Sequence, residues 1–330
     1  MKMQMMKIKW MCGFVIAVLI LQIPGNLIAQ TVDDGIVFLQ QGKFVEAKNV
    51  FEQILKKDDN NAEAHYRLGL VYLNRSNPQR DVDEAVDQLE EAVDLNPNNA
   101  DYQYRYGAAV GEKTQHAGVI KQAFLAPKVK KAFLRAVELN PKLVPPRIGL
   151  AQYYLMAPSI MGGDEEEGWK QLDEAIKLDE VQGRSVKASM LARAKKNDEA
   201  EREYKTLISS KPGDWRTWRN YGYFHMHNEH PDDAVKCFQK YAELRPDMAD
   251  SFDSLGEGFL KKGDADQAIN MFRKALELDK NFLSSLQNMG EAYQLKGQKK
   301  EAKEMYQAVL ANNPPDFYRE AAEKKLKEIE

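Results

Sequence analysis

Three consecutive stretches of this chain, residues 215–248, 249–282 and 283–316, carry matching residues at a constant spacing of 34. Large apolar residues recur at Trp218, Phe252 and Leu286, followed by Tyr221-Gly222, Leu255-Gly256 and Met289-Gly290. His225, Phe259 and Tyr293 come next, then Ala234, Ala268 and Ala302, then Phe238, Phe272 and Tyr306. Near the end of each stretch stand Pro246, Lys280 and Pro314. Within one period the apolar residues fall at helical spacing in two runs separated by a polar turn. A small residue in the first run, such as Gly256, lets a neighbouring helix approach closely. Each period is therefore a helical hairpin that cannot bury both of its apolar faces alone, and stacking becomes obligatory.

These residues are similar to the tetratricopeptide pattern W-x2-L-G-x2-Y, then A-x3-F, then P, and the chain resembles a tetratricopeptide-repeat protein of the exported bacterial type. The resemblance implies an all-α fold, a right-handed superhelical α-solenoid of hairpins. The same register extends backward. Residues 181–214 keep Leu191, Ala200, Tyr204, Leu207 and Pro212, and residues 62–99 keep Leu68-Gly69, Tyr72, Ala85, Leu89, Ala92 and Pro97. Residues 100–143 and 144–180 keep partial patterns, and residues 33–61 supply a first repeat through Phe38, Gly42, Ala47, Phe51 and Ile54. About eight repeats are expected over residues 30–316. The second to fourth contain inserted loops, around Asn77 to Arg80, from Gln115 to Ala126, and from Ser159 to Glu167. Tyr318, Ala322, Leu326 and Ile329 form one apolar stripe, so residues 317–330 are expected to be a capping helix.

The amino terminus reads differently. Lys2, Lys7 and Lys9 precede an apolar run from Trp10 to Ile23, Pro24-Gly25 breaks it, and Ala29 stands at a would-be cleavage point. These are the parts of a secretory signal, residues 1–29, and they predict a periplasmic or secreted protein. The run is shorter than the roughly 20 apolar residues that a spanning helix needs, so no stable membrane span is expected after cleavage; an uncleaved anchor is the alternative. Removing those three lysines from 47 basic residues leaves 44 against 50 acidic ones, about −6. A mildly acidic chain lacks the clustered cations that nucleic-acid binding requires. Only Cys237 would remain, so no intramolecular disulfide can form.

No residue pattern supports catalysis. Ser159, Ser185 and Ser189 have no neighbouring base, and no phosphate-cradling glycine loop is present. Asp164-Glu165-Glu166-Glu167 lacks the alternating ligands of a calcium loop and reads as a solvated helix start. His225-Met226-His227-Asn228-Glu229-His230 holds three of the five histidines, but His225 occupies a core position, and the loop before Pro231 is expected to scatter the others. No metal and no cofactor is expected.

The remaining surface is the concave one. The resemblance implies that the first helix of each hairpin lines a groove, chiefly through its second, fifth, ninth, twelfth and thirteenth positions. On this chain those are Tyr66, Leu70, Leu73, Asn74 and Tyr104, then Ile148, Gln152, Leu155 and Met156. Arg193, Arg216, Arg219, Tyr223, Met226 and His227 follow, and the row ends in Asp250, Asp253, Glu257, Gln287 and Glu291. An apolar half would lead through a basic and aromatic step to an acidic end. Exposed Tyr, Met and Arg favour a protein or peptide partner. The Lys and Asn pattern with which family members clamp acidic chaperone tails is missing. The expectation is a non-enzymatic interaction scaffold outside the cytoplasm that binds a peptide or partner helix in its groove. The alternative is an accessory or assembly subunit of an envelope enzyme or secretion complex, using its convex face and inserted loops.

Overall fold

The computed structural model describes residues 31–74 and 76–329. The expected secretory segment lies outside the described residues. Among them there are no strands, and no helix is long and apolar enough to cross a membrane.

Seventeen α-helices follow one another among the described residues as eight hairpins and a final single helix. The first two hairpins are α1 (Val32–Gln40) with α2 (Phe44–Leu55) and α3 (Ala62–Leu73) with α4 (Val82–Leu95). The next two are α5 (Ala100–Gln115) with α6 (Val119–Leu139) and α7 (Val144–Met156) with α8 (Glu165–Leu178). Then come α9 (Glu180–Arg193) with α10 (Asn197–Ser210) and α11 (Trp215–His227) with α12 (Pro231–Leu244). The series ends in α13 (Ala249–Lys262) with α14 (Ala265–Leu278), α15 (Leu283–Leu295) with α16 (Lys299–Ala311), and α17 (Asp316–Ile329).

Local chemistry sets the helix ends. Asn61, Asp81, Asn99, Asp164, Asp179, Asp214 and Asp264 each accept a hydrogen bond from a backbone N–H of the first turn that follows. Five hairpin turns use one device. Gly42, Lys195, Glu229, Gly263 and Gly297 adopt φ of 71°, 60°, 60°, 86° and 73°. The next N–H then donates to the carbonyl five residues back: Lys43 to Phe38, Lys196 to Leu191, His230 to His225, Asp264 to Phe259 and Gln298 to Tyr293, each at 2.9 Å. This left-handed residue closes the first helix and aims the chain into the second.

The second to fourth hairpins turn otherwise. Between α3 and α4, buried Asn77 donates to the Val71 carbonyl at 2.9 Å and accepts from the Gln79 N–H at 3.0 Å, which ties the inserted residues down. The segment expected as a loop from Gln115 to Ala126 is mostly helix. The α6 helix begins at Val119 and runs for 21 residues through Pro127, so the extra residues lengthen the hairpin. Between α7 and α8 a single 3-10 turn, Ser159–Met161, is anchored by the Tyr153 hydroxyl, which donates to the Met161 carbonyl.

Packing is serial. Each helix contacts chiefly its predecessor and successor, and the buried residues form successive clusters along the stack, as a solenoid requires. Odd-numbered helices also touch one another across hairpins, as α7 with α9, α9 with α11, α11 with α13 and α13 with α15. The even-numbered helices make no comparable contact among the described residues, so the odd-numbered ones lie on the tighter, inner side. Ala322 and Ile329 of α17 bury against α16, with Tyr318 and Leu326 partly covered beside them.

Candidate functional site

The inner helices carry the residues expected to line a groove, except Asn74, which stands just past the end of α3, but neighbouring hairpins bury many of them. Tyr66 is buried, stacked on Tyr102 with ring centroids 4.5 Å apart, and its hydroxyl donates to Asp101. Leu70, Leu73 and Tyr104 pack against the same cluster, which holds Leu89, Val110 and Phe133. The expected apolar half of the groove is therefore largely core. The long α5–α6 hairpin brings a second layer of side chains against these positions. Asn74 is exposed, and its Oδ1 accepts from the Ser76 N–H at 2.9 Å.

The acidic end is also corrected. Asp253 is only 3% exposed. Its carboxylate accepts from the Ser284 hydroxyl at 2.8 Å and the Ser285 hydroxyl at 2.6 Å, both on α15. Burial first, then the negative charge of Glu257, push its pKa up to about 7, against the opposing effect of the two serine hydrogen bonds. Glu257 accepts from the Tyr223 hydroxyl at 3.0 Å and from the Asn288 amide at 3.1 Å, and burial raises its pKa as well. Tyr223 also hydrogen-bonds Ser254 at 3.0 Å. The result is a polar ladder linking α11, α13 and α15, with the carboxylates turned into the seam between hairpins.

The basic residues divide. Arg216 pairs with Asp214 at 2.8 Å. Arg219 lies 3.3 Å from Asp250 and stacks over the Tyr223 ring, while Asp250 also accepts from the Tyr241 hydroxyl at 2.7 Å. The expected change of sign along the groove is thus partly consumed by an internal ion pair. Arg193 is exposed and reaches open space.

That space is a cavity of about 880 Å³ on the inner side of the fourth to sixth hairpins. Gln152, Ser189, Met190, Arg193, Asn220 and His227 are among its lining residues. A second cavity of about 630 Å³ adjoins it, lined by Met226, Leu260, Lys261 and Glu291 among others. Tyr223 and His227 line both, so the two form one trough. Met226 is half-buried beneath it, and His227 is exposed with its Nδ1 against the Tyr223 carbonyl at 2.6 Å. Ser185 Oγ on the first cavity is buried without a hydrogen-bond partner among the described residues, and so is Gln287 Oε1 on α15.

Sequence reasoning missed Ser185, Ser189, Met190, Asn220 and Phe224 in this lining, and Ser254, Ser284, Ser285 and Asn288 in the ladder. One signal was available. Asn220, Ser254 and Asn288 share a register at the 34-residue spacing, a small polar column on a helix otherwise rich in large residues.

Comparison with known proteins agrees with this architecture. Two family models, each described as tetratricopeptide repeat, match residues 38–103 with 259–326 and residues 186–249. Human Superkiller complex protein 3 is 24% identical over 220 residues, which is 65% of this chain and 13% of that protein. Among solved structures, yeast Tom70 superposes with a TM-score of 0.66 at 14% identity, covering 87% of this chain and 58% of that one. A tetratricopeptide repeat protein from Parabacteroides merdae superposes with a TM-score of 0.54 at 11% identity, covering 90% of this chain and 96% of that one. These likenesses show the fold. With the repeat signature matched over three separate stretches and the hairpins stacked as described, the chain belongs to the tetratricopeptide repeat family.

Proposed function

We propose that this chain is a non-enzymatic interaction scaffold, acting outside the cytoplasm, that holds an extended segment of a partner protein in the trough formed by α9, α11 and α13. The observation that carries the reading is the pair of cavities of about 880 Å³ and 630 Å³ that share Tyr223 and His227. An extended segment laid along both would meet amide and hydroxyl groups from Gln152, Ser189 and Asn220, and aromatic faces from Tyr223 and Phe224. Arg193 and Lys195 are the charged side chains of the first cavity, so a carboxylate on the partner at that end is favoured. The apolar run from Trp10 to Ile23, preceded by Lys2, Lys7 and Lys9 and followed by Ala29 at a would-be cleavage point, supports the location.

A second reading rests on a specific surface. Ile120 and Phe124, one helical turn apart on α6, are 79% and 75% exposed, and Ile160 in the neighbouring hairpin turn is 93% exposed. An assembly subunit would use such residues on its outer face.

A photo-crosslinking residue placed at Ser189, and separately at Phe124, discriminates the two in cells of the native host. The trough reading expects a partner adduct at Ser189, lost when Arg193→Glu is added. Removing a desolvated contact of this kind costs on the order of 2 kcal/mol. An adduct formed only at Phe124 and indifferent to Arg193→Glu would replace the trough by the outer face.

A further inference from the structure

We propose that the turn between α11 and α12 binds a divalent transition-metal ion of the zinc class through His225, His230 and Asp233. One ligand atom from each of the three lies within 4.8 Å of the others. The loop before Pro231 was expected to scatter the other histidines; the turn instead brings His230 back beside His225, while His227 stays apart against the Tyr223 carbonyl. Glu229 takes a φ of 60°, the His230 N–H returns to the His225 carbonyl at 2.9 Å, and the two imidazoles end with ring centroids 6.1 Å apart. Asp233 follows in the first turn of α12, on the same side.

Zinc bonds of about 2.0–2.1 Å in tetrahedral geometry place ligand atoms roughly 3.4 Å apart, so the site closes by about an ångström of side-chain rotation. His230 is exposed and Asp233 half-exposed, and both are free to make that movement. His225 is the fixed member, 7% exposed with its ring 4.2 Å from that of Tyr221. Asp233 gives one carboxylate oxygen to Lys236 at 2.8 Å and leaves the other available.

The repeat register supplies the control. At the His225 position the three neighbouring regular hairpins carry Leu191, Phe259 and Tyr293; at the His230 position, Lys196, Asp264 and Gln298; at the Asp233 position, Glu199, Gln267 and Glu301. Asp264 uses its place to cap α14, accepting from the Gln267 N–H at 3.1 Å. Among these four hairpins, this one alone replaces the large apolar core residue by an imidazole and sets a second imidazole and a carboxylate beside it. Neither ring makes a hydrogen bond to protein among the described residues, whereas His227 bonds the Tyr223 carbonyl. The ion would strap α11 to α12, with water in the remaining coordination positions.

The test titrates the purified chain with Zn²⁺ by calorimetry and with Co²⁺ by visible absorption. One ion per chain at micromolar affinity is expected, with a rise in melting temperature. His230→Gln and Asp233→Asn each weaken binding by at least about tenfold. His225→Phe abolishes it while preserving the fold, since Phe259 holds the equivalent place in the next repeat. His227→Gln leaves it unchanged. Absence of binding at millimolar Zn²⁺, or binding that survives both His225→Phe and His230→Gln, overturns the proposal.

Discussion

Replacing Gly256 by Ala inverts the usual effect of that substitution in a helix. In an open helix interior, Gly→Ala stabilises by about 0.8–1.0 kcal/mol, because glycine surrenders more backbone freedom on folding. At Gly256, in the middle of α13, an added methyl carbon would stand 2.5 Å from Cε1 and 2.6 Å from Cδ1 of Phe272. Carbon atoms in contact prefer about 3.5–4.0 Å, so roughly an ångström of separation must be found. Phe272 is fully buried between α13 and α14 and has nowhere to retreat, which leaves the two helices to move apart. Overpacking of this kind costs about 1–3 kcal/mol, and the upper half of that range applies where a rigid ring is wedged. Subtracting the propensity gain leaves a net loss of about 1–2 kcal/mol. Gly111, in α5, is the internal control. A methyl carbon there meets only Val129 Cγ1, at 3.9 Å, so Gly111→Ala is expected to stabilise by up to about 1 kcal/mol. Because stacked hairpins unfold with local cooperativity, the readout is hydrogen exchange of the α13 and α14 amides beside urea denaturation followed by helical circular dichroism. Adding Phe272→Leu to Gly256→Ala should recover part of the loss, a coupling that distant sites would not show. If Gly256→Ala protein matches or exceeds the parent in stability, the close approach of helix and ring does not set the residue at this position.

The buried carboxylate of Asp253 makes part of the stability depend on pH. In the folded chain its pKa is pushed up to about 7 from an ordinary 3.8, so the folded state holds a proton that the unfolded state releases between those values. The contribution is fully present below pH 3.8 and is lost as pH rises toward 7, by at most about 4 kcal/mol. Asp253→Asn should therefore gain stability relative to the parent as pH rises through that window in urea denaturation, and a constant difference between the two proteins would refute the assignment. The proposed export is checked by intact-mass measurement of protein from the native host, which is expected to find Gln30 at the amino terminus; full-length protein in the membrane pellet would favour an uncleaved anchor.

What the amino-acid sequence determines by itself is the repeating unit. A period of 34, with Ala268, Phe272 and Gly256 recurring as Ala302, Tyr306 and Gly290, can be satisfied only by hairpins that bury the same faces again and again. Local chemistry finishes each unit, with Gly42, Gly263 and Gly297 where the turn needs a left-handed residue and Asp264 where a helix needs a cap. These are contacts within one hairpin, or between identical neighbours. Tertiary structure decided the exposure of each inner-face position. Asp253 is buried because Ser284 and Ser285 of the next hairpin close over it, and Tyr66 because Tyr102 stacks on it from another. The lengthened α5–α6 hairpin, whose extra residues continue α6 instead of forming a loop, changed the surroundings of the expected apolar half. His225, His230 and Asp233 were brought together by one left-handed residue, Glu229, that has none of the usual turn signals. Periodicity reports which face of a helix points toward a neighbour, whereas exposure depends on how that neighbour is placed, and long-range packing sets that placement.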